Sequence, residues 1–290
     1  MFSRKANPEE KEFESWRQRM GGIAAGVCEH IGMREAMEDA HAVRDRPGCF
    51  SAEVFDGHYG PLAARTAAAF LIPCFWSLHS REAKKPDDTR RSDMELLRDA
   101  YMRTDEAILA RGIMGGTTAA TLLLLGTRFL AANVGDARIV IGTAGGSKLL
   151  TMDHRPELPE EMARIESLGG RVMHLDIPRV QGELAISRAL GDAHLKPYVS
   201  AEPRIVEGWL GRENDWAVLA TDGIWDVITP AEAILASRES SDPQEAAELI
   251  VSIACWRGAH DNMTVIVLDL RGCTRELTRS SMEISAIHEG

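Results

Sequence analysis

The sequence predicts an α+β protein: a four-layer α-β-β-α sandwich, with two central, mainly antiparallel sheets flanked by helices. Three observations predict it. Strand-like segments come in groups and helical segments come in groups, so few strands alternate singly with helices. The strand candidate at 263–268 is apolar on both faces, and the run Leu122 to Leu125 also reads as a buried strand; layers on both sides bury such strands. A chain of 290 residues with 44% apolar content fits one core with decorations better than two domains.

Taken in order, residues 1–20 are polar, with Phe13 and Trp16 spaced for a short docked helix or a frayed tail. Residues 22–31 carry Ile23, Val27 and Ile31 among small residues and read as a strand. Strands follow at 40–44 and 50–55 around a Pro47-Gly48 turn. If they pair about that turn, Asp39 lies opposite Asp56, with Glu38 beside them. Like charges facing across strands are destabilising, and a cation between them is the natural compensation. The second strand runs into Asp56-Gly57-His58-Tyr59-Gly60. Pro61 and the helix formers of 62–71 come next, so the pentapeptide sits in a strand-to-helix turn.

Residues 80–93 read as an exposed loop, closed by the capping box Ser92-x-x-Glu95. Met94, Leu97, Tyr101 and Ile108 then keep helical spacing to about residue 110. Strands are expected at 117–125, 129–134 and 137–141. Gly135-Asp136 fits a type II′ hairpin turn between the last two, with Asp136 exposed at its tip. Residues 159–168 form a helix stopped by Gly169-Gly170; 171–175 and 183–186 are short strands. Residues 191–203 are a loop with Lys196, Pro197 and Tyr198 at its centre, and loops beside a rigid site commonly select substrates. An apolar strand at 216–221 ends on Asp222-Gly223. Thr229-Pro230 and Asp242-Pro243 each start a helix, the second with Ala246, Leu249, Ile250 and Ile253 on one face. Composition divides the chain into an N-terminal extension (1–21), a main domain (22–270) and a polar C-terminal tail (271–290).

The net charge of −11 argues against general nucleic-acid binding. No apolar run approaches a membrane span, and Met1 to Arg19 lacks the apolar core of a secretory signal. Five scattered cysteines without a C-x-x-C pair point to reduced thiols in the cytoplasm or nucleus. A monomer is expected.

Four acids share a setting. Asp56 and Asp222 each end an apolar strand before a glycine, Asp136 sits in a turn, and Asp261 precedes the last strand. In an antiparallel sheet the end of one strand lies beside the start of its neighbour. Asp56, Asp222 and Asp261 can therefore gather at one edge with Glu38 and Asp39. Each acid alone reads better as a turn or cap residue. Together they make an all-oxygen set, which suits Mg²⁺ or Mn²⁺ rather than Zn²⁺.

At these residues the chain resembles the metal-dependent protein phosphatases, the type 2C serine/threonine phosphatases. The matching stretches are Arg34-x-x-Met37-Glu38-Asp39, Val54-Phe55-Asp56-Gly57-His58, Gly116-Thr117-Thr118-Ala119, Asn133-Val134-Gly135-Asp136-Ala137-Arg138 and Asp153-His154-Arg155-Pro156. They continue with Leu184-Ala185-Ile186-Ser187-Arg188-Ala189-Leu190-Gly191-Asp192, Thr221-Asp222-Gly223-Ile224-Trp225-Asp226 and Asp261-Asn262-Met263-Thr264. The resemblance covers roughly residues 22–270, and the order is the family's. Tyr59, Thr221 and Ala137 depart from its commoner residues without removing a ligand.

The resemblance implies a protein phosphatase acting on phosphoserine and phosphothreonine in phosphorylated proteins. It implies two Mg²⁺ or Mn²⁺ ions, with Asp56 bridging, the Gly57 carbonyl on one ion and Asp222 and Asp261 on the other. Glu38 and Asp39 would act largely through bound waters, and Asp136 would help hold a third, weaker ion with Asp222. A hydroxide between the ions would attack phosphorus directly. Arg34 would clamp the phosphate and His58 would protonate the leaving oxygen. Two other readings compete: a catalytically weak scaffold of the same fold, and a hydrolase of small phosphate esters. The presence of Asp56, Asp222 and Asp261 disfavours the scaffold.

Overall fold

The computed structural model describes residues 19–20 and 23–273. The segment around Phe13 and Trp16 and the tail beyond residue 273 lie outside the described residues. The chain enters through β1 (Arg19–Met20), β2 (Ile23–His30), β3 (Ala40–Arg46), β4 (Cys49–Phe55) and β5 (Gly57–His58). Helices α1 (Leu62–Glu82) and α2 (Asp93–Ala110) follow. Then come β6 (Gly116–Thr117), β7 (Ala119–Leu125), β8 (Arg128–Val134), β9 (Arg138–Thr143) and β10 (Gly146–Leu149). The next stretch holds α3 (Pro159–Ser167), β11 (Val172–His174), β12 (Pro178–Val180), β13 (Leu190–Gly191) and β14 (Arg204–Trp209). Last are β15 (Trp216–Ala220), α4 (Asp222–Trp225), α5 (Pro230–Glu239), α6 (Pro243–Trp256) and β16 (Met263–Asp269).

The expected four-layer sandwich is present. One sheet has the order β1-β2-β16-β15-β9-β10 and the other β14-β8-β7-β4-β3, every pairing antiparallel. Between the sheets, Ala52, Val54 and Leu122 meet Ile139, Leu219 and Ile266. Helices α1 and α2 cover the outer face of the β4–β7–β8 sheet through Leu71, Phe75, Leu97 and Tyr101. Helices α5 and α6 cover the other sheet through Ile234, Ala247 and Ile250. Strands with apolar layers on both faces are apolar on both faces, which explains the uninterrupted run of β16.

The β3–β4 register follows the expected hairpin: Ala40 pairs with Phe55 and Arg46 with Cys49. Asp39 and Asp56 therefore leave the ladder together at its open end. The capping boxes at Ser92 and Thr229 form, and Asp242 caps α6 by accepting from the Gln244 and Glu245 amides.

Other expectations need correction. Strands β8 and β9 do not form a hairpin: β8 pairs with β7 and β14, whereas β9 pairs with β15 and β10. Gly135-Asp136 instead carries the chain from one sheet to the other, and Asp136 is buried rather than exposed. Helix α1 continues to Glu82 through Pro73. Proline removes one backbone donor there, but burial of Leu71, Ile72, Phe75 and Leu78 holds the following turns in place. Residues 183–186 are not a strand; Val180 bridges to Leu184, and β12 lies at 178–180 instead. In α6 the buried face is Ala246, Ala247, Ile250, Val251 and Ala254, with Leu249 exposed.

Candidate active site

The single-sheet edge expected for the acids is replaced by a junction of the two sheets: the site is assembled where β4 of one sheet ends and β16 of the other begins. Asp56 follows the last residue of β4. Its amide donates to Thr118 Oγ1 at 3.1 Å, and its carbonyl accepts from the Thr118 amide at 2.8 Å. Asp222 opens α4 directly after β15. The Thr221 amide reaches the Thr264 carbonyl and the Thr264 amide reaches Thr221 Oγ1, both at 3.1 Å, so β15 and β16 are locked where the acids project. Asp39 is 5% exposed; one of its oxygens accepts from the Thr221 hydroxyl at 2.9 Å and the other, Oδ1, has no partner.

Asn262 organises the rim. Its Nδ2 donates to the carbonyls of Ile31 (2.8 Å) and Ala36 (3.0 Å), and its Oδ1 accepts from the Glu38 amide at 2.8 Å. One side chain thus staples the loop bearing Arg34 and Glu38 to the start of β16. Gly57 is required by close approach: a Cβ there would stand 2.3 Å from the Glu38 carbonyl oxygen. Arg34 sits on the rim with its side chain 58% exposed, paired at 2.5 Å with Asp261 and not with Glu35 or Glu38. Asp136 lies 3.0 Å from Arg155. Its turn is pinned by Asn133 and His154, both bonded to the Gly135 carbonyl.

These groups line a cleft of about 650 Å³. Its lining includes the acids Asp56, Asp136, Asp222, Asp226 and Asp261 and the apolar side chains Ile177, Leu184 and Ile186. His58 also lines the cleft, and its Nε2 faces away, lying 2.8 and 2.9 Å from the two oxygens of buried Asp192. Lys196 and Tyr198 do not belong to the cleft. Lys196 Nζ is held by Asp105 at 3.0 Å and by the Ala189 carbonyl at 3.2 Å, and Tyr198 packs beside Ile165 and Val199.

The electrostatics of the acids are cooperative. Burial, then the charges of Asp222, Asp39 and Asp136, push Asp56 well above the usual carboxylate range. Burial and Asp136 lift Asp222 to about 7, and burial lifts Asp39 to about 7. Asp136 is raised by burial although Arg155 opposes it. Among the described residues no three His, Cys, Asp or Glu side chains stand in finished ligand geometry. Arg34 draws Asp261 aside and Arg155 draws Asp136 aside. The donor set nevertheless fits hard divalent cations. All its atoms are oxygens, Asp39 Oδ1 is buried without a partner, and the carboxylates hold one another's charge at a cost that a cation removes.

The sequence expects Asp56, Asp222, Asp261, Glu38 and Asp39 at one edge, and the resemblance adds Gly57, Arg34 and His58; all of these except Asp39 line the cleft, and Asp39 is bonded to Thr221, the residue before Asp222. Sequence reasoning missed Arg155, Asp226, Asn262 and Asp192. Each stands in a stretch quoted above, but nothing in spacing reveals that an amide side chain will bind three backbone groups or that an acid will reach an imidazole 134 residues away.

The family model described as Protein phosphatase 2C matches residues 23–263. Two Arabidopsis thaliana proteins, probable protein phosphatases 2C 71 and 59, are each 37% identical over 258 residues, covering 86% of this chain. The chain spans 56% of the first and 80% of the second. Human protein phosphatase 1F is 39% identical over 228 residues, with 75% of this chain and 48% of that protein covered. Among solved structures, the serine-threonine phosphatase 2C of Toxoplasma gondii aligns with a TM-score of 0.75 at 25% identity, covering 87% of this chain and 96% of that one. A C. elegans sex determining protein aligns with a TM-score of 0.79, also at 25% identity, covering 88% of this chain and 66% of that one. The family match begins at the first residue of β2 and ends at the first of β16, enclosing every acid of the cleft: the chain belongs to the protein phosphatase 2C family.

Proposed function

We infer that this chain, a phosphatase of the 2C family, hydrolyses phosphoserine and phosphothreonine in proteins. One observation carries the reading: carboxylates from separate elements of both sheets meet at one cleft, with Arg34 on its rim and His58 in its wall. Asp56, the Gly57 carbonyl, Asp222 and Asp261 would hold two Mg²⁺ or Mn²⁺ ions, Glu38 and Asp39 would hold their waters, and Asp136 with Asp222 would hold a third. When bound, such ions supply Lewis acidity, which makes water nucleophilic near neutral pH and neutralises phosphate charge.

The chain's own residues do the rest. Arg34 is exposed enough to leave Asp261 and grip two phosphate oxygens in a fork. Arg155 presents a second guanidinium to the same cleft. A water oxygen bonds to phosphorus as the ester bond breaks. The bond pair passes to the serine or threonine oxygen, which takes a proton from His58. The products are inorganic phosphate and the free hydroxyl side chain. The apolar side chains Ile177, Leu184 and Ile186 exclude water and accept peptide side chains beside the phosphorylated residue. Cys28, Cys49, Cys74 and Cys255 are free thiols, which supports a reducing compartment such as the cytoplasm or nucleus.

The test is turnover with Mn²⁺ on phosphoserine and phosphothreonine peptides against a panel of small phosphate esters. Higher kcat/KM on the peptides supports the reading. Preference for the small esters would replace it with a hydrolase of small phosphate esters.

A further inference from the structure

We propose that Asp192 is the positioning residue for His58. It fixes which ring nitrogen faces the cleft and keeps the transferable proton aimed at the leaving oxygen. The proposal rests on the phosphatase reading above.

The arrangement is built by a small sheet of its own, with the order β13-β6-β5. In its register Gly116 is paired with His58 on one side and with Gly191 on the other. His58 and Asp192 therefore flank a glycine strand. That strand is glycine for a reason. A Cβ on Gly116 would stand 2.1 Å from Asp192 Oδ2, and a Cβ on Gly115 would stand 2.0 Å from the His58 carbonyl oxygen. The missing side chain of Gly116 leaves room for the Asp192 carboxylate, which meets the imidazole at 2.8 and 2.9 Å, and that of Gly115 lets the His58 backbone come close.

The direction of the ring follows. The Asp192 side chain is 0% exposed, whereas the His58 side chain is 21% exposed and lines the cleft. A carboxylate accepts, so Nε2–H is the donor and Nδ1 is the nitrogen left for substrate. A 180° ring flip would put Cε1 in the place of Nε2 and Cδ2 in the place of Nδ1, and would break the bond to Asp192. Tyr59 adds a second restraint, its ring edge-on to the imidazole at 5.8 Å and 76°.

Asp192 is itself held firmly. It adopts a left-handed conformation (φ 54°, ψ 52°), which aspartate tolerates better than most residues. Its amide donates to the Gly115 carbonyl at 3.3 Å and its carbonyl accepts from the Leu195 amide at 2.9 Å. The Gly191 amide donates to Asp105 at 2.7 Å, and Asp105 is paired with Lys196. Lys196 thus acts on the site from behind, through the turn that presents Asp192. The donor is the imidazolium, which carries a proton on each nitrogen: the ester oxygen receives the bond pair and takes the Nδ1 proton, Nε2–H stays on Asp192, and the proton released by the attacking water leaves to solvent, from which Nδ1 is reprotonated after the product leaves.

The experiment uses the full chain loaded with Mn²⁺ and a series of phosphate monoesters of graded leaving-group pKa. Wild type, His58→Gln, Asp192→Asn and the double variant are compared. Asp192→Asn should lose about 10–100-fold on phosphoserine peptide, with a far smaller loss on nitrophenyl phosphate and a steeper dependence on leaving-group pKa. In the His58→Gln background it should change neither slope nor rate further. A wild-type slope in Asp192→Asn beside a steep slope in His58→Gln would overturn this inference alone. Losses that add in the double variant would overturn it too. A wild-type slope in His58→Gln would remove the acid role of His58 and this proposal with it. If Asp192→Asn does not fold, ¹⁵N NMR of the wild-type His58 ring decides: a protonated Nε2 supports the proposal and an unprotonated Nε2 overturns it.

Discussion

Asp136 sits in the turn that carries the chain from β8 in one sheet to β9 in the other. The sequence marks it by its glycine neighbour and its motif, and a turn is where it lies. The turn is a crossover between sheets, so the carboxylate is 4% exposed and faces Arg155, where a hairpin tip would have faced solvent. Gly-Asp between two strands reads the same in both cases, because sheet membership is decided by partners far away in sequence. Asp136→Ala should lower turnover about tenfold, the low end for a group acting beside a metal centre, while calorimetry still shows the two tighter Mn²⁺ ions. Unchanged turnover at saturating Mn²⁺ would make Asp136 a structural partner of Arg155 only. Asp56, Asp222 and Asp261 were legible because acids at strand ends have few other reasons to recur. Asn262 was not, because its work is hydrogen bonding to backbone carbonyls that sequence does not show.

Elements were most legible where local chemistry decides them. The capping boxes at Ser92 and Thr229, the β3–β4 register and the buried strand β16 all follow from short-range pattern. Elements decided by packing were less legible: α1 runs past Pro73 because its buried face outweighs one lost hydrogen bond, and β12 forms where residues 183–186 looked the better strand. The loop carrying Arg34 and Glu38 is such an element, ordered chiefly by Asn262. Asn262→Ala would strand the Glu38 amide and the Ile31 and Ala36 carbonyls, and should cost about 1–3 kcal/mol in denaturant unfolding. It should also weaken Mn²⁺ binding, because Glu38 and Asp261 lose their shared frame. A stability loss with wild-type Mn²⁺ affinity would show that the loop finds its place without Asn262.

For the whole molecule, the sandwich is the means by which two sheets deliver acids to one cleft, and the cost of doing so should be visible in stability. Asp39 and Asp222 are lifted to about 7, and buried Glu53 is lifted to about 8 by burial despite Arg44. A carboxylate raised in the folded state stabilises fully below its unfolded value, and that contribution is lost as pH rises through the folded value. The metal-free protein should therefore lose melting temperature as pH rises from about 4 towards 8, and Mg²⁺ or Mn²⁺ should restore most of it near pH 8. His154 acts in the opposite sense. Burial and then Arg188 lower it to about 4, so its contribution falls away as pH drops from the ordinary histidine value towards 4. A chelated protein whose melting temperature rises steadily from pH 5 to pH 8 would contradict this picture.

Calorimetric titration of Mn²⁺ into wild type and Asp56→Asn decides whether the carboxylates around Asp56 are a divalent-cation site. Asp56 follows β4, is lifted by burial and by the charges of Asp222, Asp39 and Asp136, and lines the cleft with Asp222 and Asp136. The wild type should bind two ions, and binding should be lost or greatly weakened in Asp56→Asn. The metal-free variant should melt at least as high as the metal-free wild type, since one buried like charge is gone. An Asp56→Asn protein that binds Mn²⁺ with wild-type stoichiometry and affinity would show that Asp56 is no metal ligand.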